Sequence, residues 1–311
     1  MSKPASPPPT SPQTPAPSGF GRWLATLVAP LAALFVIAAF FTLRNPKYLS
    51  PDSLIAIGEQ AALIVIIGIG ATLVIIAGGI DLSVGSVMAF SGTLSAVLML
   101  RYGLHPGLAA LLGTLSGGLI GFFNGYLTVK TRLHPFIITL GSMMIFRGLA
   151  HALTESKSTS LLPAGFTALA SGEFPLGGGR ELVIPFILMV YILIAGGAAH
   201  LMLTRTRMGR YCFAIGSNAE GTRLSGVNVN AWLTLYFVLA GLLFGFAGVV
   251  QAARVGIGDP NVAAGRELEA IAAAVIGGTS LSGGQGSIAG TVLGALLMAG
   301  LRQGLRLLGL G

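Results

Sequence analysis

The feature that most constrains this chain is a succession of nine apolar segments with little charge between them. They lie at 23–43, 57–77, 86–100, 108–129, 136–153, 182–203, 232–253, 269–277 and 287–303. A helix rising 1.5 Å per residue needs about 20 apolar residues to cross hydrocarbon, and most of these segments approach that length. The shorter and glycine-interrupted ones read as tilted or broken helices, and 269–277 as a half-helix or one that extends N-terminally. Composition closes the other route. Charged residues are 9% of the chain and hydrophobic residues 53%, with a mean hydropathy of +0.83, against about 25% charged in an ordinary soluble domain. A soluble enzyme is excluded, because its surface needs more charge than this. The expected fold is an all-α polytopic membrane helix bundle with about nine spans. Forty-six glycines in 311 residues suit close helix packing inside a bilayer.

Seven of the first 18 residues are proline, so residues 1–20 read as a disordered Pro-rich tail and 21–311 as the transmembrane domain. The formal charge of +8 fits loops facing anionic lipid, and nucleic acid is not expected. The single cysteine, Cys212, excludes an intramolecular disulfide. The four histidines have no ligand spacing, so neither a metal site nor a cofactor is expected. His105-Pro106 and His134-Pro135 read as helix entrances. Counting Lys and Arg with a cytoplasmic N-terminus puts eight inside and nine outside, so the positive-inside rule does not orient the chain.

Few residues have chemistry to offer. Asp81, in Gly78-Gly79-Ile80-Asp81-Leu82-Ser83-Val84-Gly85, reads first as a helix cap, where it or Ser83 satisfies orphan N–H groups, and second as polar lining of a solute path. Arg147 is the one basic residue well inside a segment, and Thr139, Ser142 and His151 share that segment. It either binds a carbonyl or lines a lumen, or it snorkels to the interface; the two readings are even. Asn124 and Gln251 are single amides in apolar helices, better read as interhelical hydrogen bonds than as solute contacts. Asp81, Ser83, Asn124, Thr139, Arg147 and Gln251 form the candidate translocation path. Leu281-Ser282-Gly283-Gly284-Gln285 spells the signature pentapeptide of ABC-type ATPases, but the chain has no Gly-x-x-x-x-Gly-Lys-Ser/Thr loop. It reads as a glycine-rich turn with no nucleotide role, and no catalytic residue is expected.

The connection 204–231 is long and basic. In it, Gly216 permits a sharp entry, and Ser217 or Asn218 can cap a short helix that Gly226 ends. That helix is either a docking element for another protein or a helix lying on lipid.

The 78–85 segment, Pro135-Phe136-Ile137-Ile138-Thr139-Leu140-Gly141, the 214–227 loop and Glu269-Ala270-Ile271-Ala272-Ala273-Ala274-Val275-Ile276-Gly277-Gly278-Thr279-Ser280 stand in this order. In that order they resemble the permease subunit of bacterial ABC importers for monosaccharides of the ribose, xylose and galactose type. The resemblance runs from about Leu31 to the C-terminus. It implies an inner-membrane location with a cytoplasmic N-terminus, two cytoplasmic ABC ATPases, a periplasmic sugar-binding protein, and a second permease copy as homodimer or paired permease. It implies that Gly216, Ser217, Asn218, Ala219, Glu220, Arg223 and Gly226 couple the membrane helices to the ATPase. Family members continue with one more span, so a tenth, C-terminal span is expected to be missing here. Two alternatives stay open: a branched-chain amino-acid ABC permease and, with less support, a secondary transporter. The sequence does not specify the sugar.

Overall fold

A computed structural model describes residues 19–177, 180–183 and 187–310. Most of the Pro-rich tail lies outside the described residues. The helices are α1 (Gly19–Arg44), α2 (Pro51–Ile76), α3 (Val84–Tyr102), α4 (Pro106–Thr131), α5 (Pro135–Thr154), α6 (Ala164–Ser171), α7 (Ile187–Arg205), α8 (Arg207–Ser217), α9 (Ala219–Leu224), α10 (Val229–Val255), α11 (Arg266–Ile276) and α12 (Ile288–Leu307). Local chemistry sets their starts. Pro51, Pro106 and Pro135 occupy first-turn positions where no N–H is needed. His105 and His134 cap behind two of them, their Nδ1 atoms accepting from Gly107 N at 3.2 Å and Phe136 N at 3.3 Å. Ser50, Thr206, Asn228 and Ser287 cap α2, α8, α10 and α12 through their side chains.

Seven of these helices, α2, α3, α4, α5, α7, α10 and α12, are long and apolar enough to cross a membrane. Nine spans were expected. Within the residues whose side chains are described, α1 contributes the apolar stretch Val28–Arg44. At 11 residues, α11 is about 16 Å long, roughly half the hydrocarbon thickness. A second difference is at 182–203, where the helix begins only at Ile187. Ahead of it, β1 (Glu173–Gly177) pairs antiparallel with β2 (Arg180–Val183), Glu173 facing Val183. The bundle is otherwise helical, as its hydropathy requires.

The core is built on α2, whose apolar window is 94% buried. Leu63, Ile66, Ile67 and Ile75 of α2 pack with Phe237 and Phe244 of α10 and Val87 and Met88 of α3. Glycines let α4 and α10 touch backbone to backbone. A Cβ on Gly117 would overlap the Gly241 carbonyl, and one on Gly121 would overlap that of Phe237.

Polar contacts sort the helix ends into two groups. At one end, Asn45 Nδ2 donates to Leu307 O at 3.3 Å, Gln303 Nε2 to Ser53 Oγ at 3.2 Å, and Arg254 pairs with Glu59 at 2.9 Å. This end also carries α6 and the hairpin, since Tyr191 Oη donates to Leu169 O at 2.9 Å. At the other end, Tyr236 Oη donates to Met208 O at 2.8 Å and Gly284 N to Ile76 O at 2.9 Å. That end carries α8, α9 and the 277–287 loop.

Candidate functional site: a polar cluster, a clamped loop and an end helix pair

After α2 ends, the chain runs through 79–83 in neither helix nor strand before α3 starts. Irregular backbone inside a bundle needs partners for its N–H and C=O groups. Thr139 of α5 supplies one, its Oγ1 accepting from Leu82 N at 3.1 Å and lying 3.3 Å from Ile80 O. Asp81, 3% exposed, supplies another. Its Oδ1 accepts from Ser83 N at 2.8 Å and from Ser83 Oγ at 2.6 Å. Asn124 of α4 closes the set, its Nδ2 donating to Ser83 Oγ at 3.0 Å. Burial pushes the Asp81 carboxyl above the usual carboxylate range, and the hydrogen bonds from Ser83 and Asn124 pull the other way.

The capping reading needs correction here. Ser83 sits at the N-cap of α3 but makes no side-chain cap bond, because its hydroxyl is committed to Asp81 and Asn124. Asp81 holds the turn leading into the helix rather than the helix's first N–H groups. Four of the candidate path residues, Asp81, Ser83, Asn124 and Thr139, thus form one buried polar cluster.

The other two lie elsewhere. Arg147 does not snorkel; its Nη1 donates to Pro260 O at 3.0 Å and Val262 O at 2.7 Å. It clamps the non-helical stretch between α10 and α11, whose carbonyls have no helical partner at that depth. Gly85 is needed at this point, since a Cβ there would overlap Ala263 O and come within 2.5 Å of Glu267 Oε2. Gln251 lies on the far side of the same stretch. With Thr93, Asp259 and Val262 it lines a cavity of about 30 Å³, room for about one water. Gln251 Oε1 and Thr93 Oγ1 are buried there with no partner among the described residues.

The long connection forms two helices, not one. Thr206 caps α8. Asn218 then caps α9, its Oδ1 accepting from Gly221 N at 2.8 Å, and Gly226 exits with φ +83°. Ser217 is the last residue of α8 and caps nothing. Gly216 does not make a sharp entry; it lies inside α8, pressed against the end of α2. Glu220 pairs with Arg223 of its own helix at 3.1 Å. Ala219, Glu220, Arg223 and Leu224 are exposed. Cys212 anchors the pair from beneath, buried at 3.5 Å from Leu73 O, and burial pushes its thiol up to about 12.

The pentapeptide at 281–285 is the turn expected of it, with Gly283 at φ +81° and Gly284 at φ +71°. Among the described residues no group of three His, Cys, Asp or Glu side chains is placed to hold a metal ion. Sequence reasoning missed Gly85 and Thr93, whose importance rests on neighbours distant in sequence.

Residues 53–310 match the family model described as branched-chain amino acid transport system / permease component. The ribose import permease protein of Escherichia coli K12 is 39% identical over 283 residues, covering 90% of this chain and 85% of that protein. The ribose import permease protein of Bacillus subtilis 168 is 38% identical over 284 residues, covering 91% and 85%. The D-allose transport system permease protein of E. coli K12 is 38% identical over 277 residues, covering 88% and 82%. No solved structure matches. With 258 consecutive residues inside one family model and relatives this similar along nine-tenths of its length, the chain belongs to the bacterial transport-system permease family, on the side of the sugar import permeases.

Proposed function

We propose that this chain is the membrane permease of an ATP-driven importer for a monosaccharide in the bacterial inner membrane, with its N-terminus cytoplasmic. ATP is hydrolysed on a cytoplasmic ABC ATPase, and a periplasmic binding protein delivers and selects the sugar. A second permease copy completes the pathway. The observation that carries this reading is the α8–α9 pair. It is a rigid, capped, partly exposed helical element at one membrane end, anchored under α2 and α10. A soluble motor needs such an element to reach helices inside the bilayer. The names of the relatives supply the substrate class, since ribose and allose are both monosaccharides. The orientation rests on the family resemblance and not on charge: Lys130, Arg132, Arg205, Arg207 and Arg210 lie at the α8–α9 end, but Arg44, Lys47, Lys157 and Arg306 lie in the opposite half, likewise without acidic partners among the described residues.

Alternating access then follows from a shift between inward-open and outward-open populations. Asp81, Ser83, Asn124 and Thr139 hold the irregular 79–83 stretch at the α8–α9 end, while Arg147 and Gln251 hold and line the 256–265 stretch deeper in the membrane. Gly141 and Gly148 on α5 have open space in front of them, which suits close approach of the second copy. The test is uptake of labelled ribose and allose into vesicles carrying the permease with its ATPase and binding protein. Uptake is expected only with all three and ATP. Uptake that persists without the ATPase and follows an ion gradient would make the protein a secondary transporter instead.

A further inference from the structure

The 281–285 turn lies against the α8–α9 pair, and glycines make the contact possible. Gly284 N donates to Ile76 O, the last carbonyl region of α2, at 2.9 Å. Gly216 of α8 fits between them; a Cβ there would overlap Ile76 O and stand 2.5 Å from Gly284 N. Gly283 is confined less tightly, its Cβ position lying 2.9 Å from Gly216 O and 3.1 Å from Gly78 Cα. Three chain segments, the end of α2, the end of α8 and the 280–286 turn, therefore meet backbone on backbone. The turn is itself stiff, closed by Ser280 N to Gln285 O and Gly283 N to Ser280 O, both at 3.0 Å. Beyond it, α11 and α12 cross with their backbones in contact, since a Cβ on Gly290 would overlap Gly277 O.

We infer that this glycine joint, Gly78, Gly216, Gly283 and Gly284, is the element that passes motion of α8–α9 into α2, α11 and α12. Side chains at a contact yield by changing rotamer, whereas touching backbones do not, so displacement at α8 is delivered undamped. The joint gives the pentapeptide a role that involves no nucleotide: its paired glycines allow a positive-φ turn to seat on another backbone. These are positioning residues, acting through the helices they connect. The inference rests on the proposal that α8–α9 receives the ATPase stroke.

The test wedges the joint and reads coupling, with the permease in its complete complex with ATPase and binding protein in proteoliposomes. Gly283→Ala and Gly216→Ala are expected to leave ATP hydrolysis within about twofold while sugar uptake falls at least tenfold, with the complex still co-purifying. Gly197→Ala, at an exposed position of α7 with nothing within 4 Å of the added Cβ, is the control and is expected to transport normally. Should either wedge fail to insert, Gly284→Ala substitutes; its Cβ would overlap Ser217 Oγ and meet the Ser217 backbone at 3.0 Å, and its φ of +71° adds strain of its own. Hydrolysis and uptake falling in equal proportion, or neither changing, would overturn the joint as a transmission element. A cross-link from Cys introduced at Ala219 to the ATPase separates the two readings. If it forms and the wedged variants stay coupled, only the joint is wrong; if it forms at no position from 217 to 225, the coupling assignment itself fails.

Discussion

Replacing Arg147 with Met should release the 259–265 stretch without unfolding the bundle. The guanidinium Nη1 is the donor for two carbonyls, Pro260 O at 3.0 Å and Val262 O at 2.7 Å. Neither can turn to water easily at that depth, and leaving a buried acceptor unpaired costs about 1–3 kcal/mol. Because Arg147 is only half-buried, the lower half of that range applies, so the stretch loses about 2–4 kcal/mol in all. The charge also faces Glu267 and Asp259, which then lose its attraction. At 1.4 kcal/mol per decade, opening of the stretch should become about 30- to 1,000-fold more frequent. Hydrogen exchange in detergent or nanodiscs reads this directly. The amides to follow are Val262 N, bonded to Asp259 O, and Arg266 N, bonded to Ala263 O, both at 3.2 Å. Their protection should fall by that factor, while α2 and α10 amides stay protected. Arg147→Lys keeps a multi-donor cation on a shorter stem and should give an intermediate loss. Unchanged protection at Val262 and Arg266 in Arg147→Met would show that Arg147 does not clamp the stretch.

Three further outcomes are expected. Glu220→Lys replaces an attractive pair with Arg223 by a repulsive one on the exposed face of α9; uptake should fall while membrane insertion is unaffected, and normal uptake would remove Glu220 from the coupling surface. Cys212, with its thiol raised to about 12, should react with maleimide far more slowly than a cysteine placed at exposed Ala219; comparable labelling by mass spectrometry would mean that α8 does not pack on α2 as described. Asp81→Asn keeps the Oδ1 acceptor for Ser83 and removes a buried charge, so thermal stability near neutral pH should be equal or higher, whereas Asp81→Ala orphans Ser83 N and should cost about 1–3 kcal/mol. With the native carboxyl raised by burial, the folded state holds its proton longer than the unfolded chain. The wild type should therefore lose stability as pH rises from about 4 towards neutrality, relative to Asp81→Asn; the opposite slope would mean that Asp81 is stabilised as a carboxylate.

The sequence alone placed helices in all nine apolar segments, most within a few residues of the observed ends. Apolar run length and the Pro, His, Ser and Gly signals at helix ends are local properties, readable without neighbours. The resemblance to sugar permeases also came from local words, and relatives along nine-tenths of the chain carry such names. Span number was less legible, because whether an 11-residue segment crosses or stops half-way depends on what receives its end. The hairpin at 173–183 was not readable at all, its strands being short and without clear alternation. Contacts between distant residues belonged wholly to the tertiary structure. Arg147 finds carbonyls 113 and 115 positions away, and that distance in sequence is why snorkelling and clamping could not be told apart beforehand. Gly216 reads as a flexible entry in one dimension; in three it is the only residue small enough to lie between Ile76 O and Gly284 N. A glycine's local meaning is freedom of φ, but its meaning here is the absence of a side chain where two backbones meet, and only packing reveals which of the two applies.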